Sequence, residues 1–126
     1  MKLHQQIALV TGGSHGIGKA CSLVLAAHGA EVIMHCNSNP EEAMLVIEQI
    51  EAGGGRASAI RFDIADAHET RAAINGIIAQ KKRVTILVNN AGIIRKGLMI
   101  CYPTEDWDQV LDTYLRGAFI TSQAVI

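Results

Sequence analysis

Aromatic side chains are scarce in this chain, with one Trp, two Tyr and two Phe among 126 residues. Positive charge is not in excess either, and the formal net charge is −1. Recognition of nucleic acid calls for a basic face or a platform of stacked aromatics, so that class is excluded. The short run Lys81-Lys82-Arg83 reads as the end of a helix, where cations favour the dipole. Cysteines are few and unpaired in pattern: Cys21, Cys36 and Cys101 are odd in number, far apart and form no C-x-x-C. That excludes a disulfide framework and reads as reduced thiols in a cytoplasmic protein. The histidines lack metal-ligand spacing, so no metal is expected. No apolar run is long enough to span a membrane, and Met1–Gln6 contains no signal-type apolar core. What remains is 49% apolar and 18% charged, the composition of one globular domain with a buried core.

The most informative stretch is Thr11-Gly12-Gly13-Ser14-His15-Gly16-Ile17-Gly18. It follows an apolar strand at Ile7–Thr11 and opens a helix, the context of a phosphate-cradling loop. Gly12 can take the angles of the sharp turn. Gly16 lets the backbone approach a pyrophosphate, and Gly18 lets the helix lie close to the strand. The helix start aims unpaired N–H groups and the positive dipole end at the anion. A second motif, Asn89-Asn90-Ala91-Gly92, again follows an apolar strand, Val84–Asn89.

Strands and helices alternate along the chain. Helices are expected over Ile17–His28, Pro40 to about Ala52 and Ala67–Lys82, and strands over Glu31–His35 and Ala57–Phe62. Gly29 ends the first helix. Gly53-Gly54-Gly55 ends the second and is no phosphate loop, since no helix follows it. Thr104 is positioned to cap a last helix from about Glu105 to the end. Such alternation predicts a doubly wound parallel α/β sheet with strand order 3-2-1-4, and residues 1–126 as a single domain. Both motifs then lie at the C-terminal ends of strands 1 and 4, flanking the switch-point crevice where ligands bind.

The motifs T-G-x-x-x-G-x-G and N-N-A-G resemble those of the short-chain dehydrogenase/reductase family, from Ile7 to Ile126. Val88-Asn89-Asn90-Ala91-Gly92-Ile93, Trp107–Asp112 and Gly117-Ala118-Phe119 are similar to its 3-oxoacyl-[acyl-carrier-protein] reductases. The resemblance implies a Rossmann-type fold and NADP-dependent carbonyl reduction on a small-molecule or acyl-thioester substrate. It also implies a cytoplasmic homo-oligomer. Gly12, Gly16, Ile17 and Gly18 would hold the pyrophosphate through backbone groups, and Ser14 and His15 of the same loop would also bind the cofactor. Asp63 and Ile64 would meet the adenine, although Asp63 also reads as a helix-flanking acid. Asn90, Ala91 and Gly92 would line the adenine-side ribose, while Asn89 would tie strand 4 to Thr11. NAD-preferring members carry an acid after the second strand, where this chain has Cys36, Asn37 and Ser38. With His15 at the position of a basic residue in the glycine loop, this implies NADP over NAD.

Two features depart from the pattern. The family's serine and Tyr-x-x-x-Lys find no match: four residues beyond Tyr102 and Tyr114 lie Asp106 and Ala118, and Ser122 falls inside the last helix. The expectation is a cofactor-binding half without its catalytic centre, inactive in isolation. Its fourth strand should be a bare edge, and its last helix, with Val110, Leu111, Phe119, Ile120, Val125 and Ile126, should lack packing partners. Second, Tyr114 stands where the family has an asparagine that bends the helix and holds a relay water, and neither function is expected of a tyrosine. Three readings remain open: half of a reductase, a non-catalytic dinucleotide-binding or interaction module from a degenerate gene, and a product of proteolysis or cloning.

Overall fold

The computed structural model describes residues 2–126. Strands β1 (Ile7–Val10), β2 (Glu31–Cys36), β3 (Ala57–Arg61) and β4 (Ile86–Val88) form one parallel sheet in the order 3-2-1-4. Helices α1 (Gly16–Ala27), α2 (Pro40–Ala52) and α3 (Ala67–Lys81) are the crossovers, and α4 (Thr104–Leu111) and α5 (Gly117–Val125) follow β4. Successive strand residues point to opposite faces, so the sheet supports two cores. On one face Val10, Val32 and Met34 pack with Ala26 of α1 and Val46 and Ile50 of α2. On the other, Leu9 and Ile33 pack with Ile74 and Ile77 of α3, and Ala124 and Val125 of α5 close over them. The doubly wound α/β architecture is the one the sequence pattern predicts. No helix among the described residues is long and apolar enough to cross a membrane.

Local chemistry sets the helix ends. Gly29, at φ 99°, turns the chain after α1 while the Ala30 amide returns to the Leu25 carbonyl. Asn39 accepts the Glu42 amide and Asp66 the Glu69 amide, capping α2 and α3.

Three expectations need correction. The fourth strand is shorter than Val84–Asn89, because the Thr85 hydroxyl takes the Ile7 amide at 2.8 Å in place of a regular ladder bond. As expected it lies at the sheet edge, and it is half-buried there. Thr104 caps nothing: it is the first residue of α4, behind Pro103 at the N-cap. The helix expected from Glu105 onward is divided by a π-helical turn over Asp112–Arg116, with Tyr114 at its centre. The interruption of the helix therefore does not depend on asparagine. The turn ends at Gly117, where a Cβ would stand only 3.1 Å from Ile64 Cγ1 and 3.2 Å from the Ile64 and Asp112 carbonyls. Thr113 contributes a hydroxyl bond back to the Gln109 carbonyl at 2.8 Å, a bond type that bends helices.

The last helix is also better packed than expected. Ile120 is buried and Val125 joins the α3 core, whereas Leu111, Leu115 and Phe119 are exposed. Thr121, beside Ile120, is fully buried, and its hydroxyl has no hydrogen-bond partner among the described residues. Thr121→Val keeps the shape and removes the orphaned hydroxyl, so it should raise stability by about 1 kcal/mol in urea unfolding.

Candidate cofactor site

The loop from Thr11 to His15 leaves β1, reverses direction and enters α1 at Gly16. Gly12 makes the turn at φ 62°, a left-handed conformation that suits glycine. A Cβ on Gly12 would also press on the Ala91 backbone and the Asn90 amide at 3.1 Å. Gly16 is left-handed too, at φ 54°, but a Cβ there would meet nothing within 4 Å. Its backbone therefore borders open space. His15 is the N-cap residue of α1 and its side chain makes no capping bond. The first-turn amides of Gly16, Ile17 and Gly18 thus keep their donors free for an anion. Gly18 has a different reason to be glycine: a Cβ would collide with the Gly12 carbonyl and the Asn90 amide. The buried Ser22 hydroxyl, 3.0 Å from both the Gly13 and Gly18 carbonyls, fastens the helix to the loop.

Thr11 joins the two motifs. Its buried hydroxyl donates to the Val88 carbonyl and accepts the amides of Asn90 and Ala91, both at 2.9 Å. The Asn90 side chain donates to the Thr11 and Gly12 carbonyls, each at 3.1 Å. The job expected of Asn89 thus falls to Asn90. Asn89 instead donates to Ser122 Oγ on α5 at 3.1 Å, which accounts for that serine within the fold. With the Asn90 amide committed, Ala91 and Gly92 form the surface beyond it. The Tyr114 ring packs directly against Gly92, in the space a Cβ would need.

The far end of the crevice holds the charges. His15 turns toward Glu42, with Nδ1 3.8 Å from Oε2, so an acid from α2 faces the residue expected to attract phosphate. Asn37 and Ser38 are exposed, but Cys36 is buried beneath them. Burial pushes the Cys36 thiol up in pKa, and the Arg61 guanidinium partly opposes that shift. Arg61 pairs in register with Cys36 across β2 and β3, and its Nε donates to the Asn37 carbonyl at 2.7 Å. This fixes a cation beside Asn37 that the sequence reading did not single out. The signal was strand register, which local spacing does not reveal. Asp63 is exposed and uses Oδ1 to accept the Ala65 amide at 3.0 Å, leaving its other carboxylate oxygen outside that turn. Among the described residues, no group of three His, Cys, Asp or Glu side chains gathers as metal ligands.

This strand–glycine loop–helix arrangement, joined to the loop after β4, has close parallels among known proteins. The family model for short chain dehydrogenases matches residues 6–126. The chain belongs to this family. A 3-oxoacyl-[acyl-carrier-protein] reductase of Synechocystis is 42% identical over 123 residues, covering 98% of this chain and 50% of that protein. The reductase of the same name from Staphylococcus aureus is 42% identical over 112 residues, 89% of this chain and 46% of its own length. A short chain dehydrogenase from Burkholderia cenocepacia, solved with NADP, superposes with a TM-score of 0.94 at 41% identity. That comparison covers 99% of this chain and 51% of the other. The chain therefore spans about half the length of the short chain dehydrogenases it matches. Those relatives are oxidoreductases.

Proposed function

We propose that this chain is the cofactor-binding half of an NADP-dependent short-chain reductase. The observation that carries the reading is the uncapped start of α1, where free amides and the open side of Gly16 fit a pyrophosphate. Gly12, Ser14, His15, Gly16, Ile17 and Gly18 form this cradle. Asp63 and Ile64 would meet the adenine, and Ala91 and Gly92 the ribose, with Asn90 holding the loop that carries them. Arg61 joins Asn37 and Ser38 at the 2′-phosphate, since its guanidinium is held by Nε while both terminal nitrogens remain available for a bidentate contact. Cys36 supports that corner from below.

Bound NADPH would supply hydride to a carbonyl; relatives named for 3-oxoacyl thioesters support that substrate class. Tyr102 spends its hydroxyl on the Arg95 carbonyl and Tyr114 lies on Gly92, so neither supports a proton-donating role. The 126-residue chain is accordingly expected to bind NADP without turnover. The exposed Trp107, Leu111, Leu115 and Phe119 support association with a second copy.

Calorimetric titration with NADP+ and NAD+ tests the reading. NADP+ should bind more tightly, and Arg61→Gln should weaken NADP+ about tenfold, the scale of an exposed charge-assisted contact, while leaving NAD+ within about twofold. Equal loss for both dinucleotides would remove Arg61 from the 2′-phosphate. No binding of either would leave the interaction-module reading, and NADPH consumption with a 3-oxoacyl thioester would overturn the expected inactivity.

A further inference from the structure

His35 takes no part in the contacts proposed above, yet it is the histidine the fold buries, at 2% exposure. The Gly12 amide donates to its Nδ1 at 3.0 Å, so that nitrogen carries a lone pair. Its Nε2 lies 2.8 Å from the Phe62 carbonyl, which can only accept, so Nε2 carries the hydrogen. One neutral tautomer satisfies both bonds; the other satisfies neither. The ring also rests on Phe62, with centroids 4.3 Å apart. The backbone repeats the connection, because the His35 carbonyl accepts the Gly13 amide at 3.1 Å.

We propose that His35 is a positioning residue whose ring, in this single tautomer, locks the glycine loop after β1 to the Asp63 loop after β3. The inference rests on the NADP reading only for its consequence, since these two loops are the proposed pyrophosphate and adenine contacts. The lock itself is geometric. A proton on Nδ1 sets two N–H donors face to face and breaks the bond to Gly12, the residue that makes the turn. The phosphate-facing backbone then loses one of its two ties to β2, and the Gly13 bond remains.

The charges around the ring define when this happens. Burial disfavours the imidazolium, and it outweighs the Phe62 carbonyl and the Asp63 carboxylate, which both favour it. Asp63 is the charged side chain whose field acts on the ring strongly enough to count. The ring is therefore held below its ordinary value of about 6.5. Between that lowered value and about pH 6.5, the unfolded chain binds more protons than the folded one. The lock's contribution to stability is therefore complete above about pH 6.5 and declines as the pH falls, until the folded ring itself protonates at the lowered value and the bond to Gly12 breaks.

Histidine ¹⁵N spectra of the 126-residue chain, paired with NADP+ titrations from about pH 8 to about pH 5, test the lock. His35 should appear as the Nε2–H tautomer, and the Gly12 amide should shift as the ring titrates. NADP+ affinity should fall about tenfold across that transition. His35→Asn retains an acceptor near the Nδ1 position without a titrating ring. It should bind within about threefold of the wild type at neutral pH and lose this part of the pH dependence. His35→Leu should bind about tenfold more weakly at every pH. An Nδ1–H tautomer, wild-type affinity in His35→Leu, or an unchanged acid profile in His35→Asn would each overturn the proposal. If His35→Leu does not fold, the tautomer and the asparagine variant decide. A wild-type chain that binds no NADP+ while Gly12 still follows His35 would sink the cofactor reading and support the lock.

Discussion

Gly18→Ala is expected to destabilise the protein by about 3 kcal/mol and to remove measurable dinucleotide binding. Inside an ordinary helix the same change stabilises by about 1 kcal/mol, because alanine loses less backbone entropy. The sign reverses here because the new Cβ collides with the Gly12 carbonyl and the Asn90 amide, and one of those groups is backbone. Relief requires either moving α1 away from the loop or displacing Asn90 from its carbonyl acceptors. Both open the cradle. Gly76 in α3 is the control: a Cβ there meets nothing within 4 Å, so Gly76→Ala should stabilise by about 0.5–1 kcal/mol. Denaturant midpoints of the two variants should therefore move in opposite directions. A shared direction would contradict the close approach of α1 to the glycine loop.

Thr11→Val should cost about 2–4 kcal/mol despite preserving side-chain shape. The hydroxyl is the common partner of the Val88 carbonyl and the Asn90 and Ala91 amides. Valine leaves both amides without that acceptor at a fully buried side chain, and a buried unmade bond costs more than a made one contributes. Thr11→Ser restores the hydroxyl and should recover most of the loss. Hydrogen exchange gives the second measurement: the Asn90 and Ala91 amides should exchange faster in the valine variant, with β2 and β3 unaffected. Uniform acceleration across the sheet would mean that Thr11 merely fills the core.

Much of the fold was legible because the signals are local. The pattern of apolar strands and amphipathic helices, Gly29 after α1 and Pro40 at the start of α2 each act through neighbouring residues. The errors fell where a distant group outweighs local preference. Thr104 is the exception, a good cap by residue type displaced by its own neighbour, since the helix begins one residue early and Pro103 takes that place. The π-helical turn at Tyr114 leads into Gly117, which lies closer to Ile64 than a side chain would allow, a contact no helical periodicity encodes. Asn89 and Asn90 are adjacent and chemically identical, so only the direction each faces along the strand end assigns one to Ser122 and the other to Thr11.

The candidate site divides in the same way. By itself the sequence determined that a glycine loop opens α1 after an apolar strand, that a second loop follows β4, and that parallel crossovers bring both to one crevice. These follow from conformational freedom at glycine and from the alternation of strand and helix. Only the tertiary structure decided which charges reach that crevice. It set Glu42 against His15, brought Arg61 to Asn37 through the pairing of β2 with β3, and buried His35 between an amide and a carbonyl. Those partners are far apart along the chain, and their meeting depends on strand register and packing, which residue spacing does not carry.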